Sequence, residues 1–217
     1  MATYLKKKGS FIFRDLTKLH PKAKIALQFG NHWELLVAVI LSAQCTDKKV
    51  NEITQKLFKK YRTLNDYVTA DPREFEQDIY QAGFFRAKTK NILAAAKIVQ
   101  EKFGGKIPKT MKEILTIPGV ARKTGNVVLG NAYGVVEGIA VDTHVRRLAR
   151  LFGLSKHWDP VKIEPDLMAL FPKKDWFSLT YLLIDYGRKH CTARCNHEHC
   201  PLRNFIEKHQ PPKPKAR

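Results

Sequence analysis

The sequence predicts an all-α fold. Three observations predict it. Apolar residues recur at intervals of three and four through most of the chain, capping residues stand ahead of these runs, and no segment sustains the period-two alternation of a half-buried strand. Asn31 with Glu34 reads as a helix start, followed by Leu35, Leu36, Val37, Val39, Ile40 and Leu41. A helix apolar on nearly every side belongs in the interior. Asp47 is placed to cap the next helix, where Val50, Ile53, Leu57, Phe58 and Tyr61 keep helical spacing. Asp71-Pro72 pairs an N-cap with proline at the first helical position. Ile92, Ala95, Ala96, Val99 and Phe103 share one helix face, which Gly104-Gly105 ends. Thr110 and Glu113 form a capping box ahead of Ile114 and Leu115. Asp142 precedes a run of Val145, Leu148, Ala149 and Phe152 that Gly153 closes. Asp159-Pro160 starts a helix carrying Ile163, Leu167 and Met168, and Trp176, Phe177, Leu179, Leu182, Leu183 and Tyr186 mark a long one. Pro211 to Arg217 reads as a disordered tail.

Composition excludes two classes. With 44% hydrophobic residues the chain can build a core, so it is not wholly disordered. The longest apolar stretch, Leu35 to Leu41, is far short of the ~20 residues that a bilayer span requires. The opening MATYLKKKGSFIF has lysines without an apolar region behind them, so no secretory signal is expected. Thirty-nine Lys and Arg against 20 Asp and Glu give 217 residues a formal charge of +19. That excess implies a polyanionic partner, either nucleic acid or an anionic membrane face. No single helix sets a basic face against an aromatic stripe, which disfavours the membrane.

Four cysteines are present. Cys45 stands alone, whereas Cys191, Cys195 and Cys200 lie within ten residues. In a reducing compartment such a cluster favours a metal over disulfides, with free thiols as the plainer reading.

Residues 114 to 144 carry the most chemistry. A helix ends in Ile117-Pro118-Gly119-Val120-Ala121, and another begins near Arg122. An apolar-Pro-Gly-apolar turn bares backbone N–H groups at a helix start, where they and the helix dipole favour a phosphate. Arg122 and Lys123 add charge at that point. An ordinary αα-hairpin is the plainer reading.

PGVARKT followed by AVDTH, with LLVAVILSAQCTDKKVN before and GRKHC after, resembles the helix-hairpin-helix DNA glycosylase superfamily, and within it the endonuclease III family. That family consists of bifunctional glycosylases and AP lyases for oxidised pyrimidines in base excision repair. The resemblance runs over essentially the whole chain. It implies two helical domains flanking a DNA-binding cleft. Residues 28–133 would form a six-helix barrel with the hairpin. Residues 1–27 and 134–217 would form a discontinuous helical domain with the cysteine loop. Lys123 and Asp142 would face each other across the cleft.

The resemblance also assigns roles. Lys123 would be the lyase nucleophile, attacking C1′ to form a Schiff base whose iminium acidifies the C2′ proton for β-elimination. Asp142 would stabilise the positive charge that grows on the sugar as the C1′–N bond breaks. Gln44, in LSAQCTD, matches the glutamine that fills the void left by a flipped base, and Phe84, in QAGFFRAK, matches the second wedge. Gly119, Val120, Ala121 and Arg122 would bind DNA. From the residues alone, plainer readings stay open: a phosphate contact for Lys123, a helix cap for Asp142, a polar helix end for Gln44 and a core aromatic for Phe84, with Phe85 able to trade roles. The family often has glycine where Ala121 stands, and alanine would be strained there if φ were positive.

The cysteine loop departs from the family. A [4Fe–4S] cluster there usually sits on Cys-x6-Cys-x2-Cys-x5-Cys. This chain has Cys191-x3-Cys195-x4-Cys200-Pro201-Leu202, with Ile206 where a fourth cysteine would fall. Three readings are open. A histidine, His197 foremost with His190 and His199 near, completes an iron–sulfur ligand set. Or the same Cys₃His set holds zinc. Or no metal binds and packing holds the loop.

The leading function is therefore a DNA glycosylase with AP lyase activity, acting on double-stranded DNA with damaged pyrimidines or abasic sites. The expected protein is a monomer of the prokaryotic cytoplasm, associated with the nucleoid and not with membrane. A monofunctional glycosylase for mismatched or deaminated bases and a non-catalytic helix-hairpin-helix DNA-binding protein are the alternatives.

Overall fold

The computed structural model describes residues 2–209, and the tail from Pro211 to Arg217 lies outside them. Among the described residues all regular structure is helical, with no strand. The chain is all-α, and it divides into two compact units, Ala26–Glu137 and Met1–Ile25 with Gly138–Arg217.

The inner unit holds α2 (His32–Leu41), α3 (Asp47–Lys60), α4 (Leu64–Val68), α5 (Pro72–Ile79), α6 (Phe85–Phe103), α7 (Met111–Ile114) and α8 (Arg122–Tyr133). Helix α2 is central: Trp33 and every residue from Leu35 to Leu41 are buried. Its N-cap is Asn31, whose Oδ1 accepts from the Glu34 N–H at 2.9 Å. In return Glu34 accepts from the Gly30 N–H at 2.6 Å. Truncating a core leucine such as Leu36 costs about 2–5 kcal/mol.

Two capping expectations need correction. Thr46, not Asp47, caps α3, its hydroxyl accepting from the Lys49 N–H at 3.3 Å. Asp47 is the first helical residue, where a carboxylate still meets the positive end of the dipole. At α7, Thr110 accepts from the Glu113 N–H, but the Glu113 carboxylate takes the Thr110 hydroxyl at 2.7 Å instead of the backbone N–H of a capping box. Both legs of that box occur at Thr63 and Asp66, ahead of α4.

The outer unit holds α1 (Ala2–Leu19), α9 (Thr143–Leu151), α10 (Pro160–Leu170), α11 (Trp176–Lys189) and α12 (Arg203–His209). Ile12 and Leu16 of α1 join Leu148, Leu179, Leu183 and Ile206 in one core. That packing explains why a segment dense in lysine folds as a helix. Buried Lys8 ties it down further, donating to the Gly153 carbonyl at 3.0 Å. Both α1 and α12 escaped the sequence reading.

Candidate active site and metal centre

The hairpin is α7, a turn and α8. Gly119 takes φ +80, and a Cβ there would stand 2.9 Å from Cβ of Asn91, so glycine alone fits. At Gly125 a Cβ would stand 2.7 Å from Sδ of Met111, which lets α8 close on α7. Val120 is buried and anchors the turn. Ala121 sits at φ −98, ψ 172, in extended backbone that alanine adopts freely, so the feared strain is absent. No side chain caps α8 at Ala121. Its first N–H groups thus meet an anion without competition from a cap. Arg122 opens α8 and reaches the Glu137 carbonyl at 3.5 Å. Lys123 follows, exposed on the first turn.

Asp142 is the N-cap of α9. Its Oδ1 accepts from the Val145 N–H at 2.8 Å, and the residue is half-buried beside buried Val141. The capping reading is therefore correct. It leaves a rigid carboxylate at the mouth of the helix, which also suits an electrostatic role.

Gln44 and Phe84 both sit in left-handed backbone, at φ 53 and 47. Such residues are uncommon among non-glycines. Gln44 is exposed just beyond the end of α2. Phe84 is 67% exposed immediately before α6. This corrects the reading of Phe84 as a core aromatic. Phe85 is the residue that packs, with its ring 4.9 Å from that of Tyr80. The left-handed turn after Gly83 leaves the first ring exposed and the second half-buried against the exposed Tyr80.

One residue the sequence reading missed supports both loops. Lys88, 5% exposed, donates from Nζ to the carbonyls of Leu41 and Ala82, each at 2.8 Å. Leu41 lies three residues before Gln44, and Ala82 two before Phe84. Burial pushes the Lys88 ammonium below its ordinary value, while neighbouring Cys45 pulls the other way. The signal was present: Lys88 is four residues before Ile92 and continues the buried face of α6.

The C-terminal loop gathers a second group. Cys191, Cys195, His197 and Cys200 each offer one ligand atom, and these atoms lie within 4.8 Å of one another. Such a group can hold a metal. Of the three histidines near the loop, His197 is the one brought to the thiols. His199 is exposed, and the His190 ring packs against those of His20 and Tyr186, at 5.2 and 5.6 Å. Arg147 of α9 donates to Sγ of Cys191 at 3.3 Å and to its carbonyl. No local signal could have found Arg147, because its partner is 44 residues away.

Residues 37–173 match the family model described as HhH-GPD superfamily base excision DNA repair protein. An endonuclease III of Synechocystis sp. is 47% identical, over 87% of this chain and 86% of its own. The chain belongs to the endonuclease III family. A second member, from Bacillus subtilis, is 41% identical over 94% of both chains. The solved structure of a trapped endonuclease III–DNA covalent intermediate superposes with a TM-score of 0.88 at 39% identity, covering 94% of this chain and 97% of that one. Endonuclease III proteins are DNA glycosylases and AP lyases of base excision repair, and this chain is an enzyme of that class. Among the described residues no helix is long and apolar enough to cross a membrane.

Proposed function

We propose that this protein excises oxidised pyrimidines from double-stranded DNA and then cleaves the strand at the abasic site, with Lys123 as nucleophile and Asp142 as electrostatic partner. The uncapped start of α8, carrying Arg122 and Lys123, is the observation that supports this reading most directly. In the proposed sequence the damaged nucleotide leaves the duplex, which costs a few kcal/mol of stacking and pairing. Gln44 and Phe84 occupy the gap: the amide faces the widowed base and the ring wedges between neighbours. The turn at Gly119, Val120 and Ala121 positions a backbone phosphate against the N–H groups of α8.

The amine of Lys123 then attacks C1′ as the C1′–N bond to the base breaks, and the proton the nitrogen sheds neutralises the departing base. Asp142 stabilises the positive charge on the sugar. The attack leaves an aminal at C1′. Its C1′–O4′ bond then breaks, the ring oxygen takes a proton, and the opened sugar is held as an iminium that acidifies the C2′ proton. Loss of this proton to a base expels the 3′ phosphate by β-elimination. Hydrolysis of the imine frees the lysine. The protein acts as a monomer in the prokaryotic cytoplasm, at the nucleoid.

The test is product analysis on three duplexes: one with an oxidised, ring-saturated pyrimidine, one with a deaminated base and one undamaged. Base release with strand cleavage on the first alone supports the proposal. Release of the deaminated base without cleavage favours the monofunctional alternative, and binding without release favours a DNA-binding module.

A further inference from the structure

We propose that the C-terminal loop holds a single tetrahedral zinc ion, through the thiolates of Cys191, Cys195 and Cys200 and Nδ1 of His197, in place of the four-cysteine iron–sulfur cluster usual in the family. The inference stands on the loop alone and is independent of the roles given to Lys123 and Asp142.

The first support is size. Zinc bonds of ~2.3 Å to sulfur and ~2.05 Å to nitrogen set tetrahedral ligand atoms about 3.8 Å apart for two sulfurs and about 3.6 Å for sulfur and nitrogen. Here Nδ1 of His197 lies 3.6 Å from Sγ of Cys191 and 3.7 Å from Sγ of Cys200. Sγ of Cys195 lies 3.2 Å from Sγ of Cys200, closer than two zinc-bound sulfurs stand, so this pair must part by about half an ångström around the ion while the two nitrogen–sulfur spacings already fit. Each cysteine of a cubane cluster binds a different iron, so a cluster needs its ligand atoms spread over a wider tetrahedron. A four-atom set confined within 4.8 Å encloses one ion and leaves no room for four irons and four sulfides.

The second support is the donor set. Three thiolates and one imidazole make a common structural zinc site, while clusters of this type are held by four thiolates. Ile206, at the position where a fourth cysteine would fall, is fully buried in the core of the outer unit and has no ligand role.

The third support is the setting of the ligands. His197 takes φ 70, an uncommon backbone for a non-glycine, and its ring nevertheless faces the thiols. The His197 N–H donates to Sγ of Cys195 at 3.3 Å, and Arg147 donates to Sγ of Cys191 at 3.3 Å. Such donors stabilise thiolates and orient them around a metal. Three thiolates, one neutral imidazole and a divalent ion carry one net negative charge, which the Arg147 guanidinium offsets.

The test is metal analysis of the whole chain, purified without oxygen from cells supplied with both iron and zinc. The expected result is about one zinc per chain with neither iron nor acid-labile sulfide. Exchange with cobalt should give the intense visible bands of a tetrahedral thiolate-rich site. His197→Ala should lower zinc affinity at least about tenfold, and His197→Cys should restore it. Iron and sulfide in cluster stoichiometry would overturn the proposal. So would a protein free of both metals, or a Cys195–Cys200 disulfide in the anaerobic sample. Zinc retained undiminished in His197→Ala would overturn the assignment of the fourth ligand. Should His197→Ala fail to fold, the cobalt spectrum of the parent still decides.

Discussion

Lys88 closes the end of the central helix: its ammonium donates to the carbonyl of Leu41 at 2.8 Å from a nearly solvent-free position. Helix ends leave their last carbonyls unpaired, and this one is satisfied by a side chain of α6. The same ammonium holds Ala82. One buried charge thus fixes the bases of the loops that carry Gln44 and Phe84. Replacing it by methionine keeps the bulk and removes both bonds. Lys88→Met should lower stability by about 2 kcal/mol, since hydrogen bonds to charged groups contribute ~1.5–3 kcal/mol. It should weaken binding to abasic-site DNA and spare binding to undamaged duplex, because the wedges act only once a base has left. Urea denaturation and titration of both duplexes check this.

Asp142 combines a cap and a charge, and two substitutions separate them. Asparagine caps a helix as well as aspartate does. Asp142→Asn should therefore keep the parent stability while base release slows at least about a hundredfold, the scale of lost transition-state electrostatics. Asp142→Ala should lose the same rate and also about 1 kcal/mol of stability. Single-turnover kinetics alongside thermal melts distinguish the two.

Phe84 gives a sharper contrast. A core phenylalanine truncated to alanine costs about 3–5 kcal/mol. Phe84 is exposed, so Phe84→Ala should change stability by less than about 0.5 kcal/mol. Affinity for abasic-site DNA should still fall about tenfold, which corresponds to ~1.4 kcal/mol of lost stacking. Melting and binding measured on one preparation test both halves.

His20 makes the outer unit sensitive to acid. It is buried, and neither ring nitrogen has a hydrogen-bond partner among the described residues. Burial first, then Lys189 and His190, hold its pKa below the ordinary 6.5, with Asp185 opposing. The unfolded chain therefore takes up this proton at a higher pH than the folded chain. The contribution of His20 is constant above about 6.5 and turns against folding as the pH drops below that value. Between pH 7 and pH 5, His20→Phe should gain stability relative to the parent, as measured by denaturation at each pH.

Much of this was legible in the sequence, for physical reasons. Leu35 to Leu41 is apolar on every side and is a fully buried helix because nothing else could shelter it. Asn31, Asp71, Asp142 and Asp159 signal helix starts because a cap acts on the N–H two or three residues ahead, so its cause is local. Helix α1 was hidden because its apolar positions are interleaved with lysines whose burial depends on distant partners, as with Lys8 and Gly153. From the residues alone Phe84 stayed open between a wedge and a core aromatic, because hydrophobicity says nothing of a left-handed turn that leaves a ring exposed. His197 was singled out because it stands among the loop cysteines, whereas Arg147 was illegible because it acts on a residue 44 positions away.

The most direct measurement is borohydride trapping on duplex DNA with an abasic site, run with Lys123→Ala beside the parent. A covalent protein–DNA adduct in the parent that is absent in a folded Lys123→Ala is the expected result, and it places the Schiff base on that lysine. An adduct that persists in Lys123→Ala, or none in the parent, would contradict it.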